Sequence, residues 1–301
     1  MIMTASRTTT ALRRAVLSAT LLDQGSLADL ETTDAGVVRP ATETAGPLLV
    51  AWGELLLAAG DPDATLAGAE ISRRVTRWLR LRVALHDLVE LGGDTARESI
   101  VSRVRPRALP RGHALHPGPA WTRRTVFGDA LELGLALRGT DDDARPDPDG
   151  VGLLPAALLI AAGIDLAAAL ARADRYLTDM SEIAAERLRR DPTAVLRPLG
   201  DADVLTLLAS RTFRTALCDG QGMRSAAVPV RTRGWLDLGR LDPAFALSAA
   251  LLTEPDDRGC DRPVLVTPEE VTLAKPGGDV VRQSLADPAP AEPLRPASRW
   301  A

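Results

Sequence analysis

The sequence predicts a predominantly helical α+β protein. Two observations carry this prediction: apolar residues recur at helical spacing through most of the first 220 residues, and short β-rich runs follow only after Gly222. The runs at residues 226–232, 263–266 and 270–273 have the composition of short strands. We therefore expect a helical N-terminal unit followed by a mixed domain with a small antiparallel sheet.

Three helices are predicted in the N-terminal part, over residues 10–22, 47–59 and 63–91. Their apolar residues face one side of each helix, so the three are expected to pack together. We assign residues 1–104 to this helical, thumb-like unit.

The third predicted helix has clear signals at both ends. Asp63 is a suitable N-cap, and the pair Gly92-Gly93 is a suitable stop. Four arginines lie mostly opposite its apolar stripe, which favours a solvated face over a binding surface. These are Arg73, Arg74, Arg77 and Arg80.

The helical pattern breaks between residues 102 and 119, where prolines and arginines accumulate. We assign residues 105–284 to a mixed α+β domain and predict that the proline-rich residues 285–301 are disordered. Further helices are predicted in the mixed domain over residues 153–171, 174–190 and 202–218.

An acidic segment at residues 139–150 reads GTDDDARPDPDG. Its composition is typical of an exposed, solvated loop. A calcium site is the alternative, but the segment lacks the alternating ligands and terminal glutamate of an EF-hand. The aspartates are Asp141, Asp142, Asp143, Asp147 and Asp149.

Composition indicates a soluble, cytoplasmic protein. Formal net charge is -4, which argues against a nucleic-acid partner, and the longest apolar stretch is interrupted by Pro155, Gly163 and Asp165, which argues against a membrane span. Cys218 and Cys260 are isolated and are interpreted as reduced thiols, with no metal-site spacing.

Two of the three histidines, His113 and His116, stand close together between Pro110 and Pro117. Prolines on both sides exclude a regular helix there. Imidazoles on a stiff loop that is followed by Arg123 and Arg124 suggest an anion site.

A second patch interleaves hydroxyls with guanidinium groups around Arg214, Thr215 and Arg224. A forked donor and a neighbouring hydroxyl can bind different oxygens of one phosphate. A helix C-terminus neutralised by cations is an equally good interpretation of this patch.

In chain order the two patches resemble those of the siderophore synthetases that work independently of peptide synthetases (IucA/IucC-like). That family carries a Gly-His-Pro-x-His-Pro loop, then a Ser-x-Arg-Thr element, then a strand that bears a lysine. The corresponding segments here are residues 112–117 with Ala114 in place of the first proline, residues 212–215 with Thr212 in place of serine, and residues 224–232 with Arg224 in place of lysine.

The resemblance implies ATP and Mg²⁺ as cofactors, and a carboxylate that is activated as an acyl-adenylate and condensed with an amine or alcohol. On this basis the nucleotide contacts are His113, His116, Arg123, Arg214, Thr215 and Arg224. Family members are nearly twice as long, so a partner chain would have to supply the missing C-terminal lobe, or the chain would act as a homo-oligomer.

Two other functions stay open at this level. The same fold can serve as a non-catalytic binding or scaffold protein, or the chain can be an unrelated helical regulatory protein in which His113 and His116 cap a turn. A zinc site on the histidine pair lacks a third ligand close in sequence. The sequence also contains neither a P-loop nor a dinucleotide-binding glycine motif.

Overall fold

The computed structural model describes residues 2–23, 25–60, 68–121, 124–126, 130–237 and 243–274, and it confirms the α+β fold class. Its helices are α1 (Ile2–Leu22), α2 (Trp52–Ala59), α3 (Gly68–Arg103), α4 (Ala156–Ala161), α5 (Leu166–Arg190), α6 (Val204–Leu208), α7 (Arg211–Leu217) and α8 (Pro243–Leu252). Its strands are β1 (Glu31–Thr32), β2 (Gly36–Arg39), β3 (Leu48–Ala51), β4 (Val104–Pro110), β5 (Arg124–Val126), β6 (Leu131–Thr140), β7 (Pro146–Leu154), β8 (Val195–Leu196), β9 (Arg224–Val230), β10 (Arg233–Leu236), β11 (Val264–Val266) and β12 (Val271–Leu273).

The described strands form three antiparallel sheets. The first has the order β1-β2-β3, and the last has the order β12-β11-β9-β10-β8. In the middle sheet β6 pairs with β4 along one edge and with β5 and β7 along the other. The predicted strands at 226–232, 263–266 and 270–273 correspond to β9, β11 and β12, whereas the other two sheets were not predicted.

Strand β4 lies where the sequence places the boundary between two domains. Pro106 and Pro110 fit there because β4 is an edge strand, so their missing N–H groups cost no ladder hydrogen bond. Its outer edge is covered instead by α6, where the Thr206 hydroxyl accepts a hydrogen bond from the backbone N–H of Ala108 at 3.0 Å. All seven residues of β4 are buried.

Several element predictions were wrong in detail. Residues 48–51 form β3 rather than helix, because β2 supplies a strand partner. Residues 146–154 form β7 against β6, although the sequence predicts an exposed loop up to residue 150 and a helix from residue 153. The helix predicted to stop at Gly92-Gly93 continues to Arg103, with a kink at Gly93, whose φ is 55°. The helix predicted over 202–218 is divided into α6 and α7.

Buried side chains form two large hydrophobic clusters. One joins α1, α2, α3, β2 and β3 to parts of β6, α4 and α5. The other lies around α6, α7 and β9. The first cluster includes Trp78 from α3 and Leu135 from β6, on either side of residue 104. No described helix is both long and apolar enough to cross a membrane. Arg123 and residues 285–301 lie outside the described residues.

Candidate functional site

The histidine loop, residues 111–118, is held by contacts of its own imidazoles. The ring of His113 accepts a hydrogen bond at Nδ1 from the N–H of Leu115 (3.1 Å), and its Nε2 lies 3.0 Å from the carbonyl oxygen of Arg258. With Nδ1 an acceptor and Nε2 a donor, this ring is a neutral imidazole. Burial lowers the pKa of His113 to about 4.

The Nδ1 of His116, like that of His113, accepts a hydrogen bond from the backbone N–H two residues later. Its Nδ1 accepts from the N–H of Gly118 (3.1 Å), and its Nε2 lies 2.7 Å from Oε2 of Glu132 on β6. The rings of His116 and Trp121 pack in a T-shaped contact with their centroids 5.4 Å apart. Burial lowers the pKa of His116, while Glu132 opposes that shift.

Two arginines of α3 donate hydrogen bonds to backbone carbonyls of the histidine loop. Arg74 Nε donates to the His116 carbonyl (3.1 Å), and Arg77 donates to the carbonyls of Leu115 (2.9 Å) and Asp142 (2.6 Å). Arg77 is only 2% exposed. The predicted solvated face is therefore wrong for Arg74, Arg77 and the nearly buried Arg80, because these arginines satisfy carbonyls of loops distant in sequence.

The residues of the second patch meet other parts of the chain. Arg214 is buried and donates to the carbonyls of Leu208, Thr267, Pro268 and Glu269 at 2.8–3.2 Å. Thr215 is exposed on α7.

Arg224 begins β9 and forms an ion pair with Asp237, its Nε lying 2.6 Å from Oδ2. The structure thus brings His113 and His116 together on one loop and brings Arg214 and Arg224 near Cys218. His113 and Arg214 are engaged by backbone oxygens, so a nucleotide phosphate would have to displace those contacts. Arg123 lies outside the described residues, and a nucleotide role for the six residues stays a prediction.

A different set of polar residues converges beside the histidine loop. A cavity of about 480 Å³, called here the aspartate cavity, has nine aspartates and two arginines among its described lining residues. These charged residues are Asp141, Asp142, Asp143, Asp147, Asp149, Asp201, Asp203, Asp256, Asp257, Arg107 and Arg231. Carboxylates outnumber guanidinium groups among these residues, although Arg73 also pairs with Asp143 and Asp256, and both Arg105 and Arg138 pair with Asp201.

Three buried charges, on Arg107, Asp203 and Arg231, and the nearly buried Asp142 form the base of the aspartate cavity. Arg231 Nη2 donates to Asp142 Oδ2 at 3.2 Å. Arg107 lies between two carboxylates, with Nη2 3.8 Å from Asp142 and Nη1 3.6 Å from Oδ2 of Asp203. Asp203 also caps α6 by accepting from the N–H of Thr206 at 2.8 Å.

This network leaves buried polar atoms without hydrogen bonds. They include Nε and Nη1 of Arg231, Nε of Arg107, Oδ1 of Asp142 and Oδ2 of Asp203. Each unsatisfied buried group costs about 1–3 kcal/mol. An unsatisfied buried polar group in a native structure calls for an explanation, and a bound polar ligand is one such explanation.

Asp256, at the rim of the aspartate cavity, has a raised pKa. Burial raises the pKa of Asp256, and Asp142 and Asp143 raise it further, whereas Arg73 opposes the shift. The nearest carboxylate oxygen of Asp256 lies 3.5 Å from Arg73 Nη2. A cation entering the cavity would relieve the repulsion among these groups.

The aspartates of the cavity come from three segments, and only one of them, the acidic run at residues 139–150, was noted in the sequence. This acidic run was interpreted as a solvated loop, which is wrong for Asp142, whose side chain is 12% exposed in the turn between β6 and β7. The segments around residues 201–203 and 256–257 come together with it through tertiary packing. Arg107 gave no signal in an arginine-rich sequence, and Arg231 was visible only within the segment 224–232 that the resemblance assigns to nucleotide binding.

Within the described residues, no three or more of the His, Cys, Asp and Glu side chains converge closely enough to hold a metal ion. Comparisons with protein-family models, curated proteins and solved structures found no match to this chain.

Proposed function

We propose that this chain binds a small molecule with two or more protonated amines in the aspartate cavity. The observation that carries the proposal is the convergence of nine aspartates from three separate segments on one cavity. Carboxylates spread around its walls suit a ligand whose positive charges are also spread out. A primary diamine has this property, and each ammonium offers three N–H donors.

The buried base of the cavity supports the same ligand. Asp142 and Asp203 are held by Arg107, Arg231 and the N-terminus of α6, so both carboxylates are fixed before a ligand arrives. Prior fixing lowers the entropic cost of binding. The turn that carries Asp142 is held in the same way, because Arg77 and Arg80 donate to the carbonyls of Asp142 and Asp143.

The synthetase resemblance supplies a role for such an amine. In a condensation of the type implied by the resemblance, an amine attacks the activated carboxylate, so an amine site is one of the sites that the reaction requires. We propose that this chain acts as the amine-holding component, with ATP-dependent activation of the carboxylate supplied by a partner chain. A non-catalytic amine-binding protein would use the same cavity.

Calorimetric titration with 1,4-diaminobutane tests the amine proposal. We expect saturable binding of the diamine at low salt, weakened by added salt, and no binding of the neutral 1,4-butanediol. Binding of divalent cations without diamine binding, or binding of neither, would overturn the proposal.

Matched variants locate the site. Asp147→Asn combined with Asp149→Asn removes two rim charges and should weaken diamine binding by about tenfold, since each exposed charge pair contributes up to about 1 kcal/mol. Asp179→Asn removes an exposed charge on α5, away from the aspartate cavity, and should bind as the wild type does. Equal affinities for all three proteins would place the diamine elsewhere.

A further inference from the structure

A second cavity combines an apolar floor with a cationic rim. It measures about 490 Å³ and lies where the C-terminal end of α5 meets β8 and α7. Its floor includes Leu196 and Phe213, which belong to the hydrophobic cluster around α7, and the partly buried Leu188. We call it the arginine cavity.

Three arginines line the arginine cavity: Arg187, Arg190 and Arg197. The C-terminal end of a helix favours cations, which explains Arg187 and Arg190 in the last turn of α5. Arg197 follows β8 and has no such explanation. Two elements therefore bring positive charge to one apolar opening, where Asp191 is the only acidic residue among the described lining residues.

We infer that the arginine cavity binds an amphipathic carboxylate, with its apolar chain on the floor and its carboxylate among the rim arginines. Planar guanidinium groups match a carboxylate geometrically. Arg190 also donates to Glu186 at 2.8 Å, so its side chain has one partner within the chain. Arg187 and Arg197 are both exposed at the rim, where a carboxylate can reach them.

The two cavities are neighbours, since Pro198 lines both of them. The segment between them is fixed: the Tyr176 hydroxyl accepts from the N–H of Asp201 at 2.8 Å, and Arg105 donates to the Asp201 carboxylate at 2.7 Å. Gly200 adopts a φ of 56°, and a Cβ there would lie 2.6 Å from the Tyr176 hydroxyl. A carboxylate and an amine would therefore bind in two cavities that meet at Pro198.

Titration with linear carboxylates tests this inference independently of the diamine experiment. We expect octanoate to bind and decanoate to bind more tightly, by up to about fourfold for each added methylene, because each one is removed from water on the apolar floor. Octylammonium and octanol should bind at least several-fold more weakly. Failure of octanoate and decanoate to bind, or equal binding of octylammonium, would overturn the inference and leave the amine proposal unaffected.

Variants on α5 and after β8 distinguish the rim from general surface charge. Arg187→Gln and Arg197→Gln should each weaken octanoate binding by up to about fivefold. Arg175→Gln lies on the exposed face of α5 outside the arginine cavity and should leave the affinity unchanged. All four proteins should give the same far-ultraviolet circular dichroism. Identical affinities in all four would overturn the assignment of the rim.

Discussion

The buried imidazole of His113 predicts a specific loss of stability in acid. Its pKa in the folded protein is about 4, against 6.5 for an ordinary histidine. As the pH falls below 6.5, the unfolded chain takes up a proton at this position before the folded chain does. The contribution of His113 to stability is therefore fully present above pH 6.5 and is lost as the pH falls towards 4.

The size of this loss follows from linkage. The difference between the two pKa values corresponds to about 3 kcal/mol in total, of which about 2.5 kcal/mol is lost by pH 4.5. His113→Gln removes the titrating group, keeps an N–H donor for the Arg258 carbonyl and leaves the N–H of Leu115 without its acceptor. At pH 7 this variant should be about 1–3 kcal/mol less stable than the wild type.

Urea unfolding of both proteins at pH 7 and pH 4.5 measures the effect. Taking the difference between the two proteins at each pH cancels the carboxylates and His116, which titrate in both. We expect the stability gap to narrow or reverse at pH 4.5, because only the wild type pays for the buried neutral histidine. A gap that stays constant with pH would refute the role of burial at His113.

Three further substitutions test the contacts that shape the fold. Arg214→Lys should lower the free energy of unfolding by about 3 kcal/mol in urea titrations, because one ammonium cannot satisfy carbonyls on both α6 and residues 267–269; a loss below about 1 kcal/mol would contradict that role. Gly134→Ala places a Cβ 2.3 Å from the Trp121 ring. Thermal unfolding should therefore show a free energy of unfolding that is lower by at least about 1–3 kcal/mol, and an unchanged melting temperature would contradict this packing. Tyr176→Phe removes the acceptor for the Asp201 N–H and should cost about 1 kcal/mol in urea unfolding; a neutral result would show that this hydrogen bond does not fix the segment between the cavities.

Local patterns in the sequence predicted part of the fold well. Helical spacing located α1 and α5, and β-branched runs located β9, β11 and β12, because these signals depend on residues close in sequence. Strand β4 of the middle sheet was missed because Pro106 and Pro110 are typical of loops, and they are tolerated in β4 because β4 lies at the edge of its sheet. That edge position is a property of the tertiary fold.

The candidate site was less predictable, for a related reason. The arginines of α3 were interpreted as a solvated face, since a sequence does not show which carbonyls will lie opposite them. The acidic run was visible, but its convergence with Asp203 and Asp256 depends on how the hairpin, α6 and the segment before β11 pack together. The two histidines between prolines were visible in the sequence, but the hydrogen bonds that their ring nitrogens make were not.

Hydrogen exchange with and without 1,4-diaminobutane tests the central claim most directly, because it reports where the ligand binds. The amine proposal predicts slower exchange in residues 141–150, 200–203 and 256–257, with little change in α1 or α2. Protection spread over the whole chain, protection confined to other segments, or no protection at a saturating diamine concentration would contradict it.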